Sequence, residues 1–225
     1  MHSRYALAVD AAALALDFVW IIALRERLWL SVALCTLTSV ARLALIRRRW
    51  DVALFVAGGA AAAGSDALQV ACGVYTYPVQ QLFVLPACMV PVWGQIMLFI
   101  ASVLATAQRM SPGAPPVPTR AQLALISLAF AAALFAVCGL YRTPWHVALA
   151  STLAALVMLR IAPARHDLPL VLVAATLGPL AEAILVHNGV YRFAVPTWQQ
   201  MPLWHPFFWA ASLLFVRRAF SALRI

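Results

Sequence analysis

The chain has 225 residues, of which 65% are hydrophobic and 10% charged, with a mean hydropathy of +0.91. Soluble domains run near half apolar and about a quarter charged, so this composition excludes an ordinary soluble enzyme and describes a polytopic membrane protein. The net charge of +9 arises from sixteen arginines, with no lysine, against seven carboxylates; its distribution follows membrane topology, and no nucleic-acid partner is needed to account for it.

Apolar runs broken by charge, proline or glycine predict eight spans, at 5–24, 28–46, 52–75, 85–107, 121–140, 145–162, 168–190 and 203–220. Asp10 and Asp17 interrupt the first run and no small-residue cleavage site follows it, so it reads as a span and not as a signal peptide. Met110 to Thr119 holds four prolines and cannot be helical throughout. It divides the chain into a first four-helix repeat (1–110), a cytoplasmic linker (111–120) and a second four-helix repeat (121–225). With the N-terminus on one side, that side carries twelve arginines (4, 42, 47, 48, 49, 109, 120, 160, 165, 217, 218 and 224). The other carries four (25, 27, 142 and 192), which predicts a bacterial inner-membrane protein with both termini cytoplasmic.

Arg49 to Tyr75 recurs as Arg165 to Tyr191 at an ungapped offset of 116 residues, with eight of 27 pairs identical. The expected fold is therefore all-α, eight transmembrane helices arranged as two parallel four-helix repeats. Within the repeat Asp66 falls on Glu182, each seven residues before a shared Gly-Val-Tyr. An ionisable group in hydrocarbon costs at least about 2.5 kcal/mol, so both carboxylates are candidate catalytic residues. Asp66, Gln69 and Gly73 form one helical stripe at i, i+3 and i+7, and Glu182, Val186 and Gly189 form its counterpart. Both stripes are expected to face a shared apolar cavity in which at least one carboxyl keeps its proton.

Tyr75, Tyr77, Tyr191, Trp198 and Trp204 suit an aromatic belt at the outer interface. Beyond each Gly-Val-Tyr a loop leads to a proline-tryptophan pair, Pro91/Trp93 and Pro202/Trp204, on the premise that the second loop is five residues shorter. Gln95 and His205 stand where they can point toward the carboxylates. Gly73, Tyr75, Tyr77, Trp93, Gln95, Gly189, Tyr191, Trp204 and His205 make up the candidate substrate-binding set. Asp17 has no counterpart in the fifth span and is expected to be a structural tie. Cys35, Cys72, Cys88 and Cys138 show no metal spacing, and the default is four buried thiols, with a Cys72–Cys88 disulfide as the alternative. No metal site and no cofactor motif is present in the sequence.

Carboxylate, seven residues, Gly-Val-Tyr, loop, Pro-x-Trp, apolar helix: this order, met twice, resembles a family of small uncharacterised bacterial four-helix membrane proteins, matched at Asp66, Gly73, Val74, Pro91, Trp93 and Phe99. It is also similar, more loosely, to the microbial lycopene cyclase and carotenoid hydratase group, which implies cofactor-independent protonation of a polyene within the membrane. Where the cyclases carry Glu-Glu after the proline, this chain has Val92-Trp93 and Leu203-Trp204, so that comparison extends to the scaffold. Three functions compete: acid/base chemistry on an apolar, isoprenoid- or lipid-like molecule; proton-coupled transport; and a structural or accessory subunit, with room for a homo-oligomer.

Overall fold

A computed structural model describes residues 2–110 and 116–223. Residues 111–115 of the predicted linker, and Arg224, lie outside them. Among the described residues are eight helices: α1 (His2–Ala23), α2 (Leu28–Leu45), α3 (Asp51–Ala71), α4 (Met89–Arg109), α5 (Arg120–Leu140), α6 (Pro144–Arg160), α7 (Asp167–His187) and α8 (His205–Leu223). Six of them, α1 to α5 and α7, are long and apolar enough to cross a membrane.

The chain divides into two compact units. Unit one holds α1 to α4, with Tyr77–Arg109 running into α4, and the short segment Asn188–Tyr191; unit two holds α5 to α8 and the segment Cys72–Thr76. Within unit one α4 packs on α1, α2 and α3, and within unit two α8 packs on α5, α6 and α7. A two-stranded antiparallel ribbon, β1 (Tyr75–Thr76) with β2 (Arg192–Phe193), lies in unit two, with Tyr75 opposite Phe193.

Local signals explain the helix ends. Thr119 caps α5 in a reciprocal capping box, its hydroxyl accepting from Gln122 N and its own N–H donating to the Gln122 side chain. Gly73 and Gly189 have φ of +78° and +72°, just past α3 and α7, the left-handed conformation that stops a helix at little cost only for glycine. Helices α3 and α7 therefore end at Ala71 and His187, short of the predicted 75 and 190, and the two glycines serve as stops instead of contact points on a stripe.

The 116-residue spacing extends well beyond the window that first shows it. Asp51 and Asp167 open α3 and α7, Met89 and His205 open α4 and α8, and the bridges Leu82–Leu85 and Trp198–Met201 stand at the same spacing. No gap intervenes, so the loop expected to be five residues shorter is not shorter.

The apolar interiors hold charged side chains, and several of them are closed by ion pairs. In unit one Arg42 binds Asp10 through Nε and Nη2 and Asp51 through Nη1, all three side chains being buried. Arg48, half-buried, adds Asp51 Oδ1 at 2.7 Å and Ser102 Oγ at 2.8 Å, and Ser102 in turn donates to Asp10. Two aspartates thus meet two arginines, which is the balance that a low-dielectric interior demands. In unit two Arg218 pairs with Asp167 and donates to the carbonyls of Met158 and Ile161, both at 3.2 Å, while Arg217 lies 2.6 Å from Asp167. At the 116-residue spacing Asp10, Arg42 and Ser102 become Ile126, Met158 and Arg218, all buried. The aspartate that opens the third helix of each unit is kept while its arginine moves from the second helix to the fourth.

Breaking a buried pair strands a charge, at about 3–5 kcal/mol, whereas an exposed pair is worth about 0–1 kcal/mol. Arg42→Met should therefore lower the thermal unfolding temperature in detergent far more than Arg48→Ala. Combining Arg42→Met with Asp10→Ile and Ser102→Arg, the pattern of unit two, should recover much of the loss; equal melting of parent and Arg42→Met would rule out this role for the cluster.

Candidate functional site

Asp66 sits on the buried stripe of α3 with Ala63, Gln69 and Val70. Its Oδ2 accepts from Tyr77 Oη at 3.0 Å and from Trp93 Nε1 at 3.2 Å. Tyr77 arrives from the loop after α3 and Trp93 from the second turn of α4, so the carboxylate joins three consecutive pieces of chain. The Tyr191 ring packs on Tyr77 with centroids 5.4 Å apart. Gln69 is buried beside this group, but its amide turns back to Ser65 O at 3.4 Å.

Glu182 occupies the corresponding place on α7 with different donors. Trp209 Nε1 lies 2.7 Å from Oε1, and His205 Nε2 lies 3.0 Å from Oε2. Trp209 Nε1 is also 3.2 Å from His205 Nε2. One proton assignment satisfies the two shorter distances: the indole N–H donates to Oε1 and the imidazole Nε2–H donates to Oε2. His205 Nδ1 is then left buried with no hydrogen-bond partner, against walls formed by Phe193 and Trp204, whose rings approach the imidazole edge-on at 5.3 Å.

The indole that serves Glu182 is Trp209, not Trp204. Trp93 follows Asp66 by 27 residues and Trp209 follows Glu182 by the same 27, so the expected match of Pro91 and Trp93 to Pro202 and Trp204 is corrected to Trp93 with Trp209. Trp204 is instead a core residue packed on Phe193 and Phe208. Gly178, one turn before Glu182, makes room for Trp209, since a Cβ there would fall inside the indole. The ungapped spacing was the signal that could have found Trp209.

Other expected residues are placed differently. Tyr75, Tyr77, Tyr191 and Trp204 are all buried, so of the expected interface belt only Trp198, 71% exposed, lies open. Buried aromatic hydroxyls and indoles seek partners, and here the carboxylate supplies one. Gln95 reaches the carbonyl of Asp10 at 3.5 Å in the packing of α1 against α4 and does not join Asp66. All four cysteines are free. Cys72 is exposed and neighbours Cys138, whereas Cys88 is buried beside Cys35 and Asp17. Asp17, expected as a tie, is fully buried beside the Thr38 hydroxyl and the Cys35 thiol. Among the described residues no group of three or more His, Cys, Asp or Glu could hold a metal ion.

The architecture is that of a helical protein with six long apolar helices. No protein-family model matches the chain, and no curated protein matches it. A solved structure, that of a cross-linked MvINS trimer, is similar in fold, with a TM-score of 0.60 and 19% identity over 79% of this chain and 96% of that one.

A buried carboxylate that loses a hydrogen bond of this kind loses about 1.5–3 kcal/mol. Tyr77→Phe and Trp209→Phe should each lower the melting temperature accordingly, and Gly178→Ala should resemble Trp209→Phe because it displaces the same indole. Gly64→Ala, which meets no atom within 4 Å, should be neutral or slightly stabilising. A melting temperature for Gly178→Ala at or above that of Gly64→Ala would refute this placement of Trp209.

Proposed function

We propose that the chain is a tandem duplication lying in a bacterial inner membrane as eight spans, four per repeat, with both termini cytoplasmic, and that it performs cofactor-free acid/base chemistry on an apolar, isoprenoid- or lipid-like molecule. The membrane reading is supported by the outward faces of the helices: Trp29, Leu37, Leu128, Phe135 and Trp145 are each more than 60% exposed, far more apolar surface than water-facing bundles tolerate. Helix α6, with 17 residues, is at the short end for a span, and α8, with 19, carries Arg217 and Arg218 toward one end.

The observation that carries the chemical reading is the Glu182–His205 pair. A carboxylate that accepts from Nε2 fixes the imidazole tautomer and steadies its cation, leaving Nδ1 as the atom that can exchange a proton. Apolar walls exclude the water that would quench a carbocation. On an alkene the balanced step starts from the imidazolium that Glu182 steadies: Nδ1–H delivers its proton to one alkene carbon, and Nδ1 then takes a proton from the carbon next to the cation, so the double bond shifts and the imidazolium is restored. Asp66, held by Tyr77 and Trp93, has no titratable nitrogen among these donors and serves chiefly to orient α3, α4 and the loop between them. A second reading, a structural subunit, is favoured by the pairing of Asp10, Asp51 and Asp167 with arginines, and by the assembly of the similar fold as a trimer.

His205→Gln keeps an N–H donor for Glu182 but has no counterpart of Nδ1. Under the acid/base reading this variant melts near the parent and yet fails, as Glu182→Gln does, to restore the membrane-lipid profile of a deletion strain. Full restoration by both variants would eliminate the chemistry and leave the structural subunit. A periplasm-only reporter fused to the C-terminus should be silent; strong activity would overturn the topology.

A further inference from the structure

Two of the four thiols meet in unit two. Cys72 directly follows α3 and is exposed, and its thiol lies within hydrogen-bonding reach of that of Cys138, half-buried two residues before the end of α5. The backbone agrees with this contact: a Cβ on Gly73 would stand 3.4 Å from the Tyr141 hydroxyl, so the chain beyond Cys72 runs against the end of α5. Beside Cys138 there is room, since a Cβ on Gly139 would meet no atom within 4 Å. Cys35 and Cys88 also neighbour each other, but both are buried, at 0% and 2% exposure. Access therefore singles out the first pair. The same junction exists in unit one with other chemistry. At the 116-residue spacing Cys72, Gly73 and Tyr141 become Asn188, Gly189 and Arg25, and there Arg25 Nη1 donates to Asn188 O at 2.6 Å. In unit two a phenol replaces the guanidinium, its oxygen accepts from Arg142 Nε at 3.3 Å, and two thiols stand where unit one has Asn188 and Ile22.

We propose that Cys72 and Cys138 form a reversible disulfide that fastens the 72–76 segment to α5, as the Arg25–Asn188 bond fastens the 188–191 segment in unit one. The exposed thiol reacts first: the Cys72 thiolate attacks one sulfur of a disulfide oxidant, a mixed disulfide forms, and one thiolate of the oxidant leaves. The Cys138 thiolate then attacks the Cys72 sulfur, and the second thiolate of the oxidant leaves. Two cysteine thiols are oxidised, one disulfide is reduced to two thiols, and the two protons given up by the cysteines pass to them. Closure brings the sulfurs from contact to ~2.05 Å. The bond spans a loop of roughly 65 residues that contains α4, and a cross-link of that reach acts mainly by restraining the unfolded chain, so the oxidised protein is the more stable form. The oxidant is of the dithiol-disulfide class that keeps the outer side of a bacterial inner membrane oxidising. The topology proposed above puts the ends of α3 and α5 on that side; the supply of oxidant rests on that reading, and the pairing of the thiols does not.

The test uses the full chain purified in detergent under reducing conditions and then exposed to glutathione disulfide. Peptide mass spectrometry should find a Cys72–Cys138 cross-link, and alkylation of Cys72 in the denatured protein should fall at least about tenfold. The cross-linked protein should melt above the reduced one, and dithiothreitol should reverse all three changes. Cys72→Ser and Cys138→Ser should each melt like the reduced parent with or without the oxidant. In Cys138→Ser the Cys72 thiol should keep glutathione as a mixed disulfide, because no second thiol displaces it. A glutathione adduct on Cys72 of the parent with no cross-link, a cross-link through Cys35 or Cys88 in its place, or equal melting of the oxidised and reduced parent would each overturn the proposal. Acid-trapping the thiols in membranes of cells that express the chain separates this inference from the topology. A cross-link found there supports both, whereas a pair that is reduced in cells and yet closes in detergent overturns the outer placement and leaves the pairing standing.

Discussion

A charge inside an apolar bundle must be met by another charge or by several hydrogen bonds, and the packing of both units follows from how that demand is answered. Asp51 and Asp167 open the third helix of their units, where the positive end of the helix dipole already favours a carboxylate. Each then needs an arginine. In unit one that arginine stands on α2, and Asp10 and Ser102 complete the set; in unit two it stands on α8, and the positions of Asp10 and Arg42 carry isoleucine and methionine. The substitutions are intelligible only together, because moving one arginine without the others would strand a charge or crowd two cations.

The same economy governs the carboxylates farther along α3 and α7. Asp66 takes its hydrogen bonds from a phenol and an indole, Glu182 from an imidazole and an indole. The residue corresponding to Tyr77 is Phe193, which has no hydroxyl to offer, and the residue corresponding to His205 is Met89. A donor lost in the loop is replaced by one at the start of the following helix. That replacement exchanges a phenol, with one oxygen to offer, for an imidazole whose second nitrogen stays available, and this is the physical basis for proposing proton exchange in the second unit.

Much of the helical layout was legible because hydropathy reports it directly: predicted spans at 28–46, 121–140 and 145–162 lie within two residues of α2, α5 and α6 at both ends. Ends set by backbone conformation were not legible in this way. The glycines after α3 and α7 stop those helices inside apolar sequence, and the apolar loop before α4 disguised a start at Met89. That Asp66, Glu182 and His205 need polar partners followed from the expense of burying a polar group, whereas the identity of those partners required a register. Allowing a gap in the second loop hid Trp209. The arginines misled differently: Arg42, Arg48, Arg217 and Arg218 could be counted as topological markers, but pairing with aspartates is a three-dimensional fact that a count does not contain.

Helix α3 contains one turn of π-helix, Leu54–Gly58, and α7 contains none among its described residues. The buried stripe of α3 accordingly steps by five residues from Leu54 to Gly59 before it resumes steps of four and three through Ala63 and Asp66. A wider turn of this kind sets back the rotation of everything after it by about one residue's share, a little over a quarter of a turn, relative to an unbroken α-helix. Asp66 is buried, and Glu182, the same number of residues from the start of its helix, keeps 20% of its side chain accessible. Two units that agree residue for residue in spacing thus differ in winding ahead of their acids, and each acid still meets the tryptophan 27 residues after it; what separates them is how far solvent reaches the carboxylate.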